Sequence, residues 1–393
     1  MKIVHIAIEA PYNEGWGYQE NLLPKYQVKL NHQVTLVTTT KQNLSNNQTE
    51  KVESGVYESP DGFKVVRLNN LQYFPRFVAD KVKLFSIYDV LKEEQPDLIM
   101  VHGLENFSVL QINKYLKKDN PRCKVIADNH LDYNIGKSFL RKDIAMRIFV
   151  AAVRLLNKKM QKHYEKVYGV TPWRCEFAHE ILGIDKNKLD VFPAGADDEH
   201  INYENRERIK NEIRKKHGVS DNEFLIVTGG KIDADKNIHI LMEAVANLDF
   251  ENIKLLVFGT PSPDIEEKFN KLSQNGKIIS IGWIPAKETY NYFLAADLVF
   301  FPGQHSVMWE QVVACGTPIV MKHYKSMHHC DVGGNAKFLY EDSVEGISKL
   351  LTELLTEEKL YRDMLDVARS EKRKQFLYSE LAKKSIEVME WSD

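Results

Sequence analysis

Cysteine is scarce: Cys123, Cys175, Cys315 and Cys330 are the only four in 393 residues, far apart and with no CxxC pair. That argues against a disulfide framework and against a structural zinc site. A reducing, cytoplasmic setting is expected. No excess of one charge exists either: Lys+Arg number 53 against Asp+Glu 55, a formal net charge of -2. Nothing in this balance calls for a nucleic-acid backbone as partner, so any basic site must be local. A bilayer-spanning run of about 20 apolar residues is missing, because the best candidate, Ile144 to Leu156, is broken by Arg147 and Arg154. The opening Met1-Lys2-Ile3-Val4-His5-Ile6-Ala7-Ile8 has no charged leader, long apolar core or small-residue cleavage site, so a signal peptide is not expected. Repeats and low-complexity tracts are absent, and Leu44 to Ser54 reads as a polar loop.

What is present is length for two lobes of roughly 150 to 200 residues, each able to bury a core. Short apolar runs recur at Lys2 to Ile8, Val34 to Thr38, Leu98 to Val101, Lys124 to Ala127 and Leu189 to Phe192, with helix-like segments between them. Strands of this kind are buried on both faces and therefore parallel, with crossover helices. After the charged, helix-prone stretch Glu204 to His217 a second series follows: Phe224 to Thr228, Lys254 to Phe258, Ile278 to Ile281, Leu298 to Phe301 and Pro318 to Met321. Amphipathic helices such as Ile238 to Leu248 and Lys287 to Ala296 alternate with them. The fold class is α/β, with two Rossmann-like domains in tandem. The join falls near Pro193-Ala194-Gly195-Ala196-Asp197-Asp198, and beyond Ser343 the chain turns helical, ending in a helix from Ser379 to Trp391.

Ligands of open α/β sheets bind outside the carboxyl ends of the strands. Gly229 and Gly230 stand at such an end, where bare backbone can approach a phosphate while Lys231 and Lys236 supply positive charge. The other reading is a tight turn with two solvated lysines. Glu310 opens a helix after the strand ending at Phe301-Pro302, where a carboxylate can take a ribose diol, or simply complement the helix dipole. Asp233-Ala234-Asp235 has the DxD form of metal-dependent sugar transferases, but between two lysines it suits a helix cap, and no metal is expected. Gly15-Trp16-Gly17-Tyr18 follows the first strand, so its amides can face phosphate or acceptor, with Trp16 as an acceptor platform or loop packing. A dinucleotide site would want an acidic residue closing the next strand, which ends in Thr38-Thr39-Thr40.

In this order the motifs resemble the retaining GT-B glycosyltransferases of the large sucrose-synthase-like family, which includes bacterial capsule and lipopolysaccharide transferases. The likeness covers nearly the whole chain: the glycine loop after the first strand, Asp128-Asn129-His130, Pro193 to Asp197, the Gly-Lys-x4-Lys pair, Gly259, Gly282, Ala296-Asp297, and Glu310 with Ala314-Cys315-Gly316-Thr317-Pro318. It implies an acceptor-binding N-domain of residues 1–197 and a donor domain of 198–372, facing across a cleft, with a helix of about 373–393 crossing back onto the N-domain. Lys231 and Lys236 would bind the donor diphosphate, Glu310 its ribose and backbone near Ile284 its base, with Gly17 and Gly230 close to phosphate. One departure is clear. The family's second Glu, eight residues ahead of the ribose Glu, is Pro302 here in a loop about four residues shorter, so the sugar contact falls to His305, Ser306 or their backbone amides.

The resemblance places His130 as a functional histidine at the cleft, where it can polarise developing charge. His102, with Gly15 and Trp16, is an acceptor-side candidate. Catalysis is assigned to His130, Lys236 and Lys231, with metal-independent transfer from a nucleotide sugar, a UDP-sugar ahead of a GDP-sugar, to a hydroxyl acceptor. No cofactor is implied. Residues 137–166 carry nine Lys or Arg against two acids, among apolar residues, which fits either a peripheral contact with anionic lipid delivering a lipid-linked acceptor or a core-packed helix with a solvated basic face. Two rivals stand beside transfer: a nucleotide-sugar epimerase or hydrolase of the same fold, and a nonenzymatic sugar-nucleotide-binding partner of another transferase.

Overall fold

The computed structural model describes residues 1–9, 11–43, 49–70, 84–134, 136–141 and 143–390. The chain forms two compact units, one of Met1–Ala194 together with the stretch from Tyr378 onward, the other of Gly195–Leu377. These divisions lie three and five residues from the sequence expectation of 197/198 and 372/373.

In the first unit the strands are β1 (Lys2–Ala7), β2 (Gln33–Thr39), β3 (Lys41–Asn43), β4 (Thr49–Lys51), β5 (Gly55–Glu58), β6 (Lys64–Leu68), β7 (Leu98–His102), β8 (Lys124–Asn129), β9 (Lys166–Gly169) and β10 (Leu189–Val191). Eight of them form a sheet in the order β10-β9-β8-β7-β1-β2-β6-β5, parallel throughout except where β5 runs antiparallel to β6. The central strands are rich in Val and Ile because helices cover both of their faces. Strands β5, β6 and β9 escaped the sequence reading, being four or five residues long and, in β5, largely exposed. Part of the expected polar loop is also ordered, since β4 pairs with β3, while residues 44–48 lie outside the described residues. The last helix, Tyr378–Ile386, packs Tyr378, Leu381 and Ala382 into the core beside Leu22, Leu23 and Tyr26 of the helix Gln19–Lys29; Trp391, its expected end, lies outside the described residues.

The second unit is a wholly parallel sheet: β11 (Phe224–Gly229), β12 (Ile253–Phe258), β13 (Ile278–Gly282), β14 (Leu298–Phe301), β15 (Ile319–Lys322) and β16 (Ala336–Leu339), ordered β13-β12-β11-β14-β15-β16. Leu225, Leu255 and Leu256 are fully buried, and truncating one to alanine costs about 2 to 5 kcal/mol. Asp297 ties the layers together: it receives Lys210 at 2.8 Å, Arg214 at 3.2 Å and the Leu225 amide at 2.8 Å. The chain leaves β11 toward β12 and β13, then returns to β11's other side at β14. This reversal makes the β11/β14 junction the sheet's switch point, as β1/β7 is in the first unit.

Candidate active site

Local chemistry explains how the β11/β14 junction is shaped. Gly230 adopts φ +105, a conformation L side chains avoid, and a Cβ there would meet Met308 Cε at 2.4 Å. A Cβ on Gly303 would lie 2.4 Å from the Lys236 backbone, so the loop after β14 lies directly on the loop after β11. Asp233 accepts the Lys236 amide at 3.1 Å and the Lys231 ammonium at 2.9 Å, which caps the short turn Ala234–Lys236. Lys231 is largely exposed, and its bond to Asp233 raises its pKa. Lys236 is turned inward: its Nζ donates to Gln304 O at 2.7 Å and His305 O at 3.2 Å, and burial lowers its pKa. The gap lined by Gly229, Lys236, Pro302, Gly303 and Met308 holds about 10 Å³. That is scarcely room for one water.

Glu310 lies in the first turn of the helix Met308–Cys315 and is fully buried. The helix's far end is held by two buried arginines, Arg206 donating to the carbonyls of Cys315 and Gly316 and Arg373 to that of Ala314. Glu310 Oε1 is 2.9 Å from His305 Nε2 and 2.8 Å from His329 Nε2. Burial alone would raise the carboxyl's pKa, but the two imidazoles outweigh it and bring it to about 2. His329 was missed in the sequence; its signal was the His328-His329-Cys330 cluster after β15, the strand beside β14. His305 and Ser306 are half-buried, and Ser306 spends its carbonyl on the Trp309 amide at 3.0 Å. Ile284 sits half-exposed in the turn after β13, next to exposed Trp283.

The β1/β7 junction of the first unit gathers a second group. His130 follows β8 and is one-third exposed, with Nε2 3.1 Å from Asp128 Oδ1 and 3.9 Å from Glu20 Oε1. Burial disfavours its charged form, but Asp128 and then Glu20 outweigh that and raise its pKa. Asp128 is fully buried; burial pushes its pKa up, yet His102 and His130 hold it well below the usual carboxylate range. His102 requires a correction. It is 0% exposed, with Nδ1 on Asp128 Oδ2 at 2.6 Å and Nε2 on His5 Nδ1 at 2.9 Å, so neither nitrogen is left for an acceptor. Gly15, at φ +75, and Gly17 are exposed, while Trp16 is half-buried with its ring edge-on to Tyr18 at 5.2 Å rather than standing free.

Among the described residues, His305, Glu310 and His329 place three possible metal-ligand atoms within 4.8 Å of one another, as do Glu20, His102 and His130. In the first group the imidazole nitrogens sit at hydrogen-bond distance from the carboxylate, and in the second both His102 nitrogens have partners at hydrogen-bond distance. Also among the described residues, no helix is long and apolar enough to cross a membrane. The helix Ile144–Met160 packs Val153, Leu156 and Met160 inward and leaves Ile144, Ile148 and Leu155 largely exposed beside Arg147 and Lys158. Lys142 of the basic segment lies outside the described residues.

Known proteins share this architecture. Residues 209–371 match the family model described as glycosyl transferases group 1. The alpha-monoglucosyldiacylglycerol synthase of Streptococcus pneumoniae is 24% identical over 311 residues, taking in 74% of this chain and 64% of that protein's length. Among solved structures, a glycosyltransferase from Rickettsia africae superposes with a TM-score of 0.72 at 16% identity, covering 100% of this chain and 99% of its own. Anabaena HepE, solved in complex with UDP, gives 0.68 at 13% identity, covering 99% and 100%. Residues 209–371 thus resemble glycosyl transferases group 1, and the two Rossmann-like units share the fold of these GT-B structures.

Proposed function

We propose that the protein moves a sugar from a nucleoside-diphosphate donor to a hydroxyl acceptor with retention, its second unit holding the donor and His130 acting in turnover. One observation carries this reading. At the β11/β14 switch point two glycine-freed turns, an inward-facing lysine and a buried carboxylate converge within one pair of neighbouring loops. Lys236 now satisfies itself on two carbonyls and Glu310 on two imidazoles, contacts that phosphate oxygens and a ribose diol can replace. UDP in HepE supports uridine as the first nucleotide to test.

The chemistry follows the front-face course. The acceptor oxygen bonds to the anomeric carbon on the face the diphosphate leaves, the carbon–phosphate-oxygen bond breaks, and a diphosphate oxygen takes the acceptor's proton. Charge gathers on the leaving group, where Lys236, Lys231 and the amides opening the helix Met308–Cys315 can meet it. These cations make a divalent metal unnecessary. With Pro302 where the family has a carboxylate, His305 and Ser306 contact the transferred sugar.

For the acceptor, the name of the pneumococcal relative supports a lipid. Exposed Ile144, Ile148 and Leu155 among basic residues support docking on an anionic membrane surface from the cytoplasmic side. A thermal-shift screen of the full chain across UDP-, GDP- and ADP-sugars tests the donor. The reading expects at least one sugar nucleotide to raise the melting temperature and to lose that effect in Glu310→Gln; no response to any would refute it.

A further inference from the structure

In the first unit a line of polar side chains runs through the core from the last helix to the β7 and β8 ends, and its hydrogen bonds can be counted. Ser385 Oγ donates its one proton to Ala382 O at 2.6 Å. Gln27 therefore turns its amide nitrogen to Ser385 Oγ, at 2.9 Å, and its carbonyl oxygen to His5 Nε2, at 2.6 Å. That oxygen only accepts, so His5 Nε2 carries a proton. At the other end Asp128 Oδ2 accepts Gln19 Nε2 and belongs to a carboxyl that, against burial, His102 and His130 keep ionised, so it can only accept from His102 Nδ1, 2.6 Å away, and this nitrogen carries a proton too. Between them His5 Nδ1 and His102 Nε2 approach to 2.9 Å with the rings stacked, and without a shared proton two lone pairs would face each other. Three hydrogen bonds thus need three protons on two imidazoles, one more than two neutral rings hold.

We propose that His5 and His102 together hold one buried positive charge, the fixed counter-ion of Asp128, and that this ion pair positions His130. The surroundings fit an ionised carboxylate. Asp128 Oδ2 also accepts Gln19 Nε2 at 2.9 Å, and Oδ1 accepts the Gly103 amide at 3.3 Å before it faces His130 Nε2 at 3.1 Å. His5, His102 and Asp128 are all 0% exposed, where an uncompensated charge is costly. The extra proton is placed on His102 because that ring, unlike His5, donates directly to the carboxylate, at 2.6 Å, and burial disfavours the charged form of His5. The other charged groups acting on this assembly do so at His130: Glu20 favours its protonated form and Arg174 opposes it. His5, His102, Gln27 and Ser385 are positioning residues, since all four are 0% exposed. The part concerning His130 rests on the transferase reading; the charge does not.

Histidine-selective nitrogen NMR on the full chain tests the charge directly. Near neutral pH both ring nitrogens of His102 should appear protonated, while His5 appears as a neutral ring protonated at Nε2. A neutral tautomer at both residues would overturn the proposal. His102→Asn keeps a donor toward Asp128 without the charge, so its melting temperature should fall, and His102→Asn/Asp128→Asn, which removes both charges, should recover most of that loss. Simple addition of the two single losses would count against an ion pair. If neither variant folds, the wild-type spectra still decide. In the same spectra His130 should titrate at lower pH in Asp128→Asn than in the wild type, and an unmoved midpoint would refute the positioning role. A wild type with these signatures but no transfer from any sugar nucleotide would sink the transferase reading and leave the charge pair standing.

Discussion

Replacing Lys236 with alanine puts the donor site to a quantitative test. The ammonium now donates to Gln304 O and His305 O, bonds worth about 0.5 to 1.5 kcal/mol each that must be given up before a phosphate can be met. A charge-assisted bond to phosphate returns about 1.5 to 3 kcal/mol, and the exchange also relieves the burial that lowers the lysine's pKa. In Lys236→Ala the phosphate contact is lost, but the loop opens more cheaply. The net loss of affinity is then at most about 2 kcal/mol, a factor of up to roughly 30. Calorimetric titration of UDP and GDP into wild type and variant measures it. Losing both carbonyl contacts should also lower the melting temperature by a few degrees, on the order of 2 to 4 °C per kcal/mol in a unit of this size. Lys231→Ala, whose ammonium is exposed and paired with Asp233, should weaken binding less. Unchanged affinity of Lys236→Ala for every nucleotide that the wild type binds would remove Lys236 from the site.

Other consequences can be checked separately. His130→Ala should keep nucleotide affinity and melting temperature while transfer falls by roughly a hundredfold or more; normal turnover would end its assignment. Chelation with EDTA should leave transfer largely intact, and abolition with rescue by manganese would return Asp233 and Asp235 to a metal role. Glu310 is held ionised down to about 2 against an ordinary 4.5, so the stability it contributes is complete above about pH 4.5 and is lost as pH falls toward about 2. Glu310→Gln should accordingly cost up to about 3 kcal/mol near neutrality and progressively less in acid, as denaturant unfolding across pH would show; a pH-independent difference would mean that the carboxylate is not stabilised by its histidines. Ile148→Asp should reduce co-sedimentation with anionic vesicles and leave nucleotide affinity unchanged, and equal sedimentation of wild type and variant would argue against docking through this helix.

The long parallel strands were legible because Lys2–Ala7, Lys124–Asn129 or Phe224–Gly229 are apolar runs between helix-forming segments, and burial on both faces leaves few other sequences possible. The short strands β9 and β16 were not, since four residues carry almost no periodic signal. Gly230, Lys236 and Glu310 could be picked out because each lies at the end of a recognisable strand or the start of a helix. His329 could not be tied to Glu310, since only the adjacency of β14 and β15 brings the two together. His102 misled for a related reason: it ends a strand, as site residues do, but β7 lies between β1 and β8, so its ring is enclosed by His5 and Asp128. One-dimensional spacing marks strand ends well and says little about which strand is flanked on both sides.

The central claim is that the β11/β14 junction receives a nucleoside diphosphate, and a crystal structure of the full chain with UDP or GDP, whichever binds more tightly, tests it most directly. The expected result is a diphosphate within hydrogen-bond reach of Lys236 Nζ, a ribose diol on Glu310, and Gly303–Ser306 withdrawn from the position it now fills. A nucleotide bound elsewhere, with Lys236 still on the carbonyls of Gln304 and His305 and Glu310 still closed between His305 and His329, would contradict it.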